Sequence, residues 1–168
     1  MDRWERQIER IGHILEEADW TYATTNDGFA LQTNFRTELR VMPVLIQPQR
    51  DGFLVLVQVP MFFVEDDMRD KMVEAIVRAN ENLYMGSFTM DMADGEVQYR
   101  STVPAVSEDI CGEQFALVLD SACSAVAFYD RAFHRLLYGD DLSPAEVVAE
   151  AEMAAMVGTP PPDMESFG

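Results

Sequence analysis

Residues 83–100 carry the sequence LYMGSFTMDMADGEVQYR, in which Asp94-Gly95 separates two short runs of strand-forming residues. Gly adopts positive φ angles without strain, and Asp tolerates them better than most residues, so such pairs favour tight hairpins. Two further Asp-Gly pairs occur at residues 27–28 and 51–52. The spacing of the three pairs predicts a succession of antiparallel hairpins in the first hundred residues.

Apolar residues that recur every three or four positions predict four helices. The predicted helices span about residues 2–19, 65–83, 107–138 and 143–157. The third carries a continuous apolar seam, formed by Phe115, Leu119, Ala122, Val126, Tyr129, Phe133 and Leu136. The sequence Ser143-Pro144-Ala145-Glu146 is typical of a helix start, because Ser caps the backbone, Pro fits the first turn and Glu completes a capping box.

Alternating hydrophobicity predicts the strands, and the order α-β-β-β-(β)-α-β-β-α-α places the chain in the α+β class. Strand four, about residues 53–59, is apolar on both faces, which predicts a central position covered on both sides. Pro43 indicates an edge position or a bulge in strand three, because proline donates no ladder hydrogen bond. We predict a single domain over residues 1–157, an antiparallel sheet packed with helices, and a disordered Pro-rich tail at 158–168.

Composition argues against several kinds of partner. The chain has 168 residues, with 30 acidic against 12 basic side chains and a net charge of −18. Nucleic acids and anionic membranes both attract basic surfaces, and no basic stripe is present. No apolar run reaches the roughly 20 residues of a membrane span, and the charged N-terminus is unlike a signal peptide. These features predict a cytoplasmic protein that binds neither nucleic acid nor membrane.

No motif indicates catalysis, and we expect no cofactor and no metal. Asp66, Asp67 and Asp70 suit a helix N-terminus, and they lack the spacing of a calcium loop. Cys123 lies within a predicted helix without the Gly turn of a nucleophile elbow, and it forms no Cys-x-x-Cys pair with Cys111. An enzyme that uses acidic residues and a metal is the weakest of three functional hypotheses.

Residues 80–100 and 137–146 resemble the YbjN family of bacterial sensory transduction regulators. Asn80, Leu83, Gly86, Phe88 and residues 94–100 fit its pattern Gly-x-Phe followed by Asp-Gly-Glu-Val-x-Tyr-Arg. Residues 137–146, LYGDDLSPAE, are similar to the family's closing Gly…Ser-Pro-x-Glu-Ala. The resemblance covers about residues 3–150. It implies a fold similar to type III secretion chaperones, often dimeric, with protein binding or regulation and no known enzymatic activity.

The leading hypothesis is therefore a non-enzymatic, chaperone-like or regulatory module that binds a client or partner protein through an apolar surface and forms a homodimer. Methionine is over-used at surfaces that accept varied partners, although core packing is its ordinary role. The residues expected to form such a surface are Met61, Phe62, Phe63, Met68 and Met72. The alternative is a small-molecule sensor with a pocket between the long C-terminal helix and the sheet, near Phe115, Tyr129 and Phe133.

Overall fold

The computed structural model describes residues 1–49, 52–106 and 109–158, which contain both helices and strands. The helices are α1 (Arg3–Glu17), α2 (Arg69–Asn80), α3 (Gly112–Tyr138) and α4 (Pro144–Gly158), with a 3-10 turn at Asp66–Met68. The strands are β1 (Ala23–Thr24), β2 (Leu31–Arg36), β3 (Val41–Pro48), β4 (Leu54–Phe63), β5 (Ser87–Met90) and β6 (Glu96–Pro104). The predicted α+β class and element order are confirmed.

The strands form one sheet in the order β1-β2-β3-β4-β6-β5, and every neighbouring pair is antiparallel. β4 lies at the centre of the sheet, as its apolar composition predicts. β3 pairs with β4 only from Leu45 onwards, whereas Pro43 faces Asn34 of β2. Pro43 therefore sits where β3 has a partner on one side, so its missing N–H breaks no ladder on the other.

The helices pack on one face of the sheet, which we call the helix face. α3 lies against β4 and β6, α2 against β5, α1 against β3, and α4 against α2 and α3. The predicted seam of α3 is confirmed, because all seven of its residues are buried in one hydrophobic core with the inward side chains of the strands. The prediction that β4 is covered on both sides is wrong: within the described ranges, no helix crosses its second face.

Three boundaries differ from those predicted. β4 continues past Pro60 to Phe63, because a bulge between Pro60 and Phe62 restores its pairing with β6. The second helix proper begins at Arg69, after the 3-10 turn, and ends at Asn80. The third begins at Gly112, and residues 107 and 108, where we predicted its start, lie outside the described residues. α4 ends at Gly158, the first residue of the predicted tail. The remaining tail residues, 159–168, lie outside the described residues.

The residues of the 80–100 motif hold the β5–β6 hairpin in place. Asn80 accepts from the Phe88 N–H (2.8 Å) and donates to the Phe88 carbonyl (3.0 Å), which anchors β5 to the end of α2. The Tyr99 hydroxyl donates to the Met85 carbonyl across Gly86, where a Cβ would lie 2.3 Å from that hydroxyl. Gly95, at φ +82°, accepts from the Val64 N–H at 2.9 Å. These contacts give Asn80, Gly86, Gly95 and Tyr99 a structural role in fixing the hairpin.

Gly95 offers a direct test of this arrangement. An added Cβ would lie 2.2 Å from the Val64 carbonyl oxygen, whereas at Gly28, which also has positive φ (+73°), it would meet nothing within 4 Å. We expect Gly28→Ala to lower the free energy of unfolding by about 1 kcal/mol through backbone strain alone. Gly95→Ala should lower it by roughly 3 kcal/mol, because strain and a backbone clash add. Urea unfolding of both variants measures the difference, and equal losses would contradict it.

Candidate functional site

The described residues bring no catalytic or metal-binding cluster together. Within those ranges, no group of three or more His, Cys, Asp or Glu side chains is placed to hold a metal ion. Asp66 pairs with Arg69 at 2.6 Å, and Lys71 lies 3.5 Å from Asp141. Asp66 of the acidic turn therefore has Arg69 as a local cationic partner, whereas Lys71 pairs with an acid outside the turn.

Asp130 is a buried acid, and its burial is explained by the hydrogen-bond partners of its carboxylate. Its carboxylate accepts from Arg40 Nη2 at 2.8 Å and from the Thr37 hydroxyl at 2.9 Å. Arg40 also donates to the Met61 carbonyl at 2.9 Å and lies 5.3 Å from the centre of the Phe62 ring. A buried carboxylate held by a cation and a hydroxyl ties the β2–β3 turn to α3. We assign it a structural role.

Cys123 is in the wrong environment for a nucleophile. Burial, followed by the nearby Asp120 charge, raises the pKa of its thiol to about 12. Only the thiolate attacks electrophiles, so this thiol is unreactive at neutral pH. The neighbouring Ser121 hydroxyl donates to Met85 Sδ at 3.7 Å, and Cys111, by contrast, is exposed.

The second face of the sheet, which we call the open face, carries the alternate residues of every strand. Paired residues share a face and successive residues alternate, so the register identifies its members. They are Gln32, Asn34, Arg36, Val41, Pro43, Leu45, Gln47, Leu54, Leu56, Gln58, Pro60, Phe63, Ser87, Thr89, Glu96, Gln98, Arg100, Thr102 and Pro104. Leu45, Leu56, Pro43 and Pro60 lie on the two middle strands, β3 and β4, interspersed with Gln47 and Gln58. Val41, Leu54 and Phe63 are the most exposed large apolar side chains of the face.

Acidic side chains are nearly absent from the open face, whose charged strand residues are Arg36, Arg100 and Glu96. Among its described strand residues Glu96 is the only acid, although the chain contains 30. Gln58 donates to Gln98 at 3.0 Å, so even its polar side chains are held by neutral hydrogen bonds. A shallow cavity of about 410 Å³ opens beside β5, bordered by Leu56, Thr89 and Arg100 among others. A face that mixes apolar and amide side chains and has a single described acid resembles the composition of protein–protein interfaces, from which acids are depleted.

The five residues predicted to form a binding surface do not form one together. Phe63 lies on the open face at the end of β4 with 64% of its surface exposed. Met72 is fully buried and Met61 nearly so, which makes both part of the core. Phe62 turns to the helix face, where its ring meets that of Phe133 at 6.5 Å, and Met68 is half-buried against the core. Strict alternation along β4 would have placed Phe62 on the open face and Phe63 in the core, and the bulge between Pro60 and Phe62 reverses the two.

The predicted pocket near Phe115, Tyr129 and Phe133 is filled by the side chains themselves. The rings of Phe88, Tyr129 and Phe133 pack at centroid distances of 5.1–5.9 Å. Phe115 and Phe133 are fully buried, and neither borders the cavities of about 410, 640 and 620 Å³. The prediction of a pocket lined by these three residues is therefore wrong, because their rings occupy the space between α3 and the sheet.

A cavity of about 640 Å³ lies instead on the outer side of α3, where α4 and the α2–β5 connection approach it. We call it the α3–α4 cleft; its walls include Asn82, Tyr84, Met85, Phe128, Tyr129, Glu152 and Met156. Glu152 accepts from the Tyr129 hydroxyl at 2.9 Å and from Asn82 Nδ2 at 2.8 Å. Burial, and then the bond to Glu152, raises the pKa of the Tyr129 phenol, so it remains a donor at neutral pH. Tyr129 is the one residue of the predicted pocket that reaches this cleft.

The chain belongs to the YbjN family, whose model, described as "Putative bacterial sensory transduction regulator", matches residues 7–135. The crystal structure of YbjN from E. coli, described as "a putative transcription regulator", has a similar fold. The TM-score is 0.57 at 10% sequence identity, over 74% of this chain and 91% of that chain. At that identity the likeness concerns the fold alone. No curated protein matches the chain.

A helix that crosses a membrane must be both long and apolar. In the part of the chain that the structure describes, no helix is both long enough and apolar enough to span a bilayer. The cytoplasmic location stays a prediction.

The two cysteines should react at very different rates. At pH 8, four units below a pKa of about 12, only about one Cys123 thiol in ten thousand is ionised. We expect a disulfide reagent such as dithionitrobenzoate to label Cys111 quickly and Cys123 only after unfolding. Cys111→Ser should remove the fast phase, and Cys123→Ser should leave it intact. Two thiols reacting at one rate in the folded protein would contradict this assignment.

Proposed function

We propose that this protein is a non-enzymatic regulatory module that binds a partner protein through the open face of its sheet. The observation that carries the proposal is the charge distribution. A chain with a net charge of −18 keeps one broad face almost free of acids and places the apolar side chains of Val41, Leu45, Leu54 and Phe63 on it. Solubility alone would favour acids on that face as well, because it is exposed to water.

The area of the open face indicates how a partner would sit. Six strands about 4.8 Å apart, each with about six residues in the sheet, make a face of roughly 24 by 20 Å, or about 500 Å². A standard interface buries about 800 Å² on each partner. The partner should therefore also contact the rim of the sheet, where Phe63 and the free edge of β5 lie. An extended segment could pair with that edge while its side chains meet the open face.

A second copy of the chain is the simplest such partner. Two molecules that each carry a charge of −18 repel one another over most of their surfaces. The open face is the region where two copies can meet with little like-charge contact, and a two-fold interface requires such a self-complementary patch. Homodimerisation through this face leaves the helix layer of each copy outward.

Light scattering tests the proposal. We expect a mass of twice 19.0 kDa at micromolar concentration, and a monomer for Leu45→Lys, which places a charge at the centre of the open face. The matched control is Leu117→Lys, the same change at an exposed position on α3, which should remain dimeric. Thermal melts of both variants check that they fold. Should Leu45→Lys not fold, Val41→Lys, at an exposed position of the same face, replaces it.

Salt dependence gives a second readout of the same dimer. Raising the ionic strength from 0.01 to 0.1 M shortens the Debye length from about 30 to about 10 Å. The dimer should tighten, because screening relieves the repulsion between two acidic molecules while apolar contacts are retained. A strict monomer across micromolar concentrations counts against self-association. A dimer that weakens with salt, or that Leu117→Lys disrupts equally, would place the contact elsewhere.

A second candidate function is small-molecule sensing, and the α3–α4 cleft favours it. Its volume of about 640 Å³ lies in the range of ligand pockets, and its walls combine aromatic and thioether side chains with a few polar groups. A ligand that binds only the folded state raises the melting temperature. A metabolite screen should therefore give a shift that Phe128→Ala, at the mouth of the cleft, reduces. Shifts that Phe128→Ala leaves unchanged would speak against the cleft.

A further inference from the structure

The α3–α4 cleft has an unusual combination of walls. Three aromatic side chains border it, those of Tyr84, Phe128 and Tyr129, and Glu152 places a carboxylate among them. The Phe128 and Tyr129 rings lie 4.7 Å apart, nearly perpendicular, so they form a corner. Aromatic faces carry partial negative charge and attract cations, most strongly where water is excluded.

Glu152 has hydrogen bonds but no cationic partner among the described residues. Its Oε1 accepts from Tyr129 and Asn82, both of which are neutral. Neither lysine nor arginine borders the cleft in the described part of the chain. The neighbouring Glu150, by contrast, pairs with Arg135 on the outer surface. The cleft therefore holds an uncompensated carboxylate beside aromatic rings.

We propose that the α3–α4 cleft binds an organic cation, an ammonium group attached to an aromatic or aliphatic body. The carboxylate and the aromatic corner recognise the ammonium group, and the apolar walls contributed by Met85 and Met156 contact the body. This inference rests on the second candidate function, small-molecule sensing, and it names the ligand class. It is independent of the open face, which lies on the other side of the sheet.

The charge of the cleft favours an organic cation over an anionic ligand, a neutral ligand or the C-terminal residues of the chain. An anionic ligand would meet Glu152 and the field of a chain with a net charge of −18. Residues 159–168, which follow α4, contain Asp163 and Glu165 and no basic residue, so that segment does not complement the cleft either. A neutral apolar ligand would leave the carboxylate without a cationic partner.

Calorimetry with benzyltrimethylammonium as the probe, and benzyl alcohol as its neutral counterpart, tests the proposal at 0.15 M salt. We expect the cation to bind at least tenfold more tightly than the alcohol. Glu152→Gln retains an oxygen acceptor for Tyr129 and Asn82. It should weaken the binding of the cation at least tenfold and leave the affinity for the alcohol unchanged. The matched control, Glu150→Gln, makes the same charge change on the same helix outside the cleft, and it should leave the affinity within twofold.

Phe128→Ala is a second variant that keeps the test valid if Glu152→Gln does not fold. It should weaken the binding of the cation severalfold. In the unsubstituted protein, the NMR shifts that the probe induces should fall on Tyr84, Phe128 and Met156. Equal binding of cation and alcohol would overturn the cation assignment and leave the sensor function standing. Equal weakening by Glu150→Gln would show general attraction to an acidic surface, and it would overturn the site. No binding of either probe at millimolar concentration would overturn both.

Discussion

The packing of α3 across β4 and β6 is the interaction on which the rest of the molecule depends. Seven seam residues of one helix fill the space above the centre of the sheet, and the rings of Phe88, Tyr129 and Phe133 close it. Removing one such aromatic side chain typically costs 3–5 kcal/mol, against about 5–15 kcal/mol for a whole domain. α3 occupies the middle of the helix face, α1, α2 and α4 pack around it on the same side, and none of these described helices packs on the second face.

That one-sided layering separates two kinds of surface. The four helices carry twelve of the chain's 30 acids, and the cleft between α3 and α4 combines aromatic walls with Glu152. The open face carries leucines, prolines and amides, with Glu96 as its single described acid. In an antiparallel sheet one face is commonly polar and solvated. Exposed apolar side chains on that face, such as Val41, Leu54 and Phe63, are the feature of this strongly acidic protein that a partner would explain.

The periodicity of the sequence predicted the fold correctly, but it did not predict which residues form the candidate binding surfaces. Spacings of three and four gave the α3 seam, and Asp-Gly pairs gave turns whose Gly28, Gly52 and Gly95 have positive φ. Pro60 looked like the end of a strand, so the bulge that carries β4 on to Phe63 was missed. An apolar pattern says that Phe115 and Phe133 are buried, but not whether they fill a core or border a cavity. The cleft joins Tyr84 to Met156, a proximity that arises only when α4 folds back on α3.

The central claim is that the open face, rather than the helix layer, meets another protein. Isotope-filtered NOE spectra of a dimer assembled from labelled and unlabelled chains measure this most directly. The account predicts intermolecular contacts to the methyl groups of Val41, Leu45, Leu54 and Leu56 on the open face. Contacts confined to Val73, Val77 and Leu117, which are exposed on the helix layer, would contradict it.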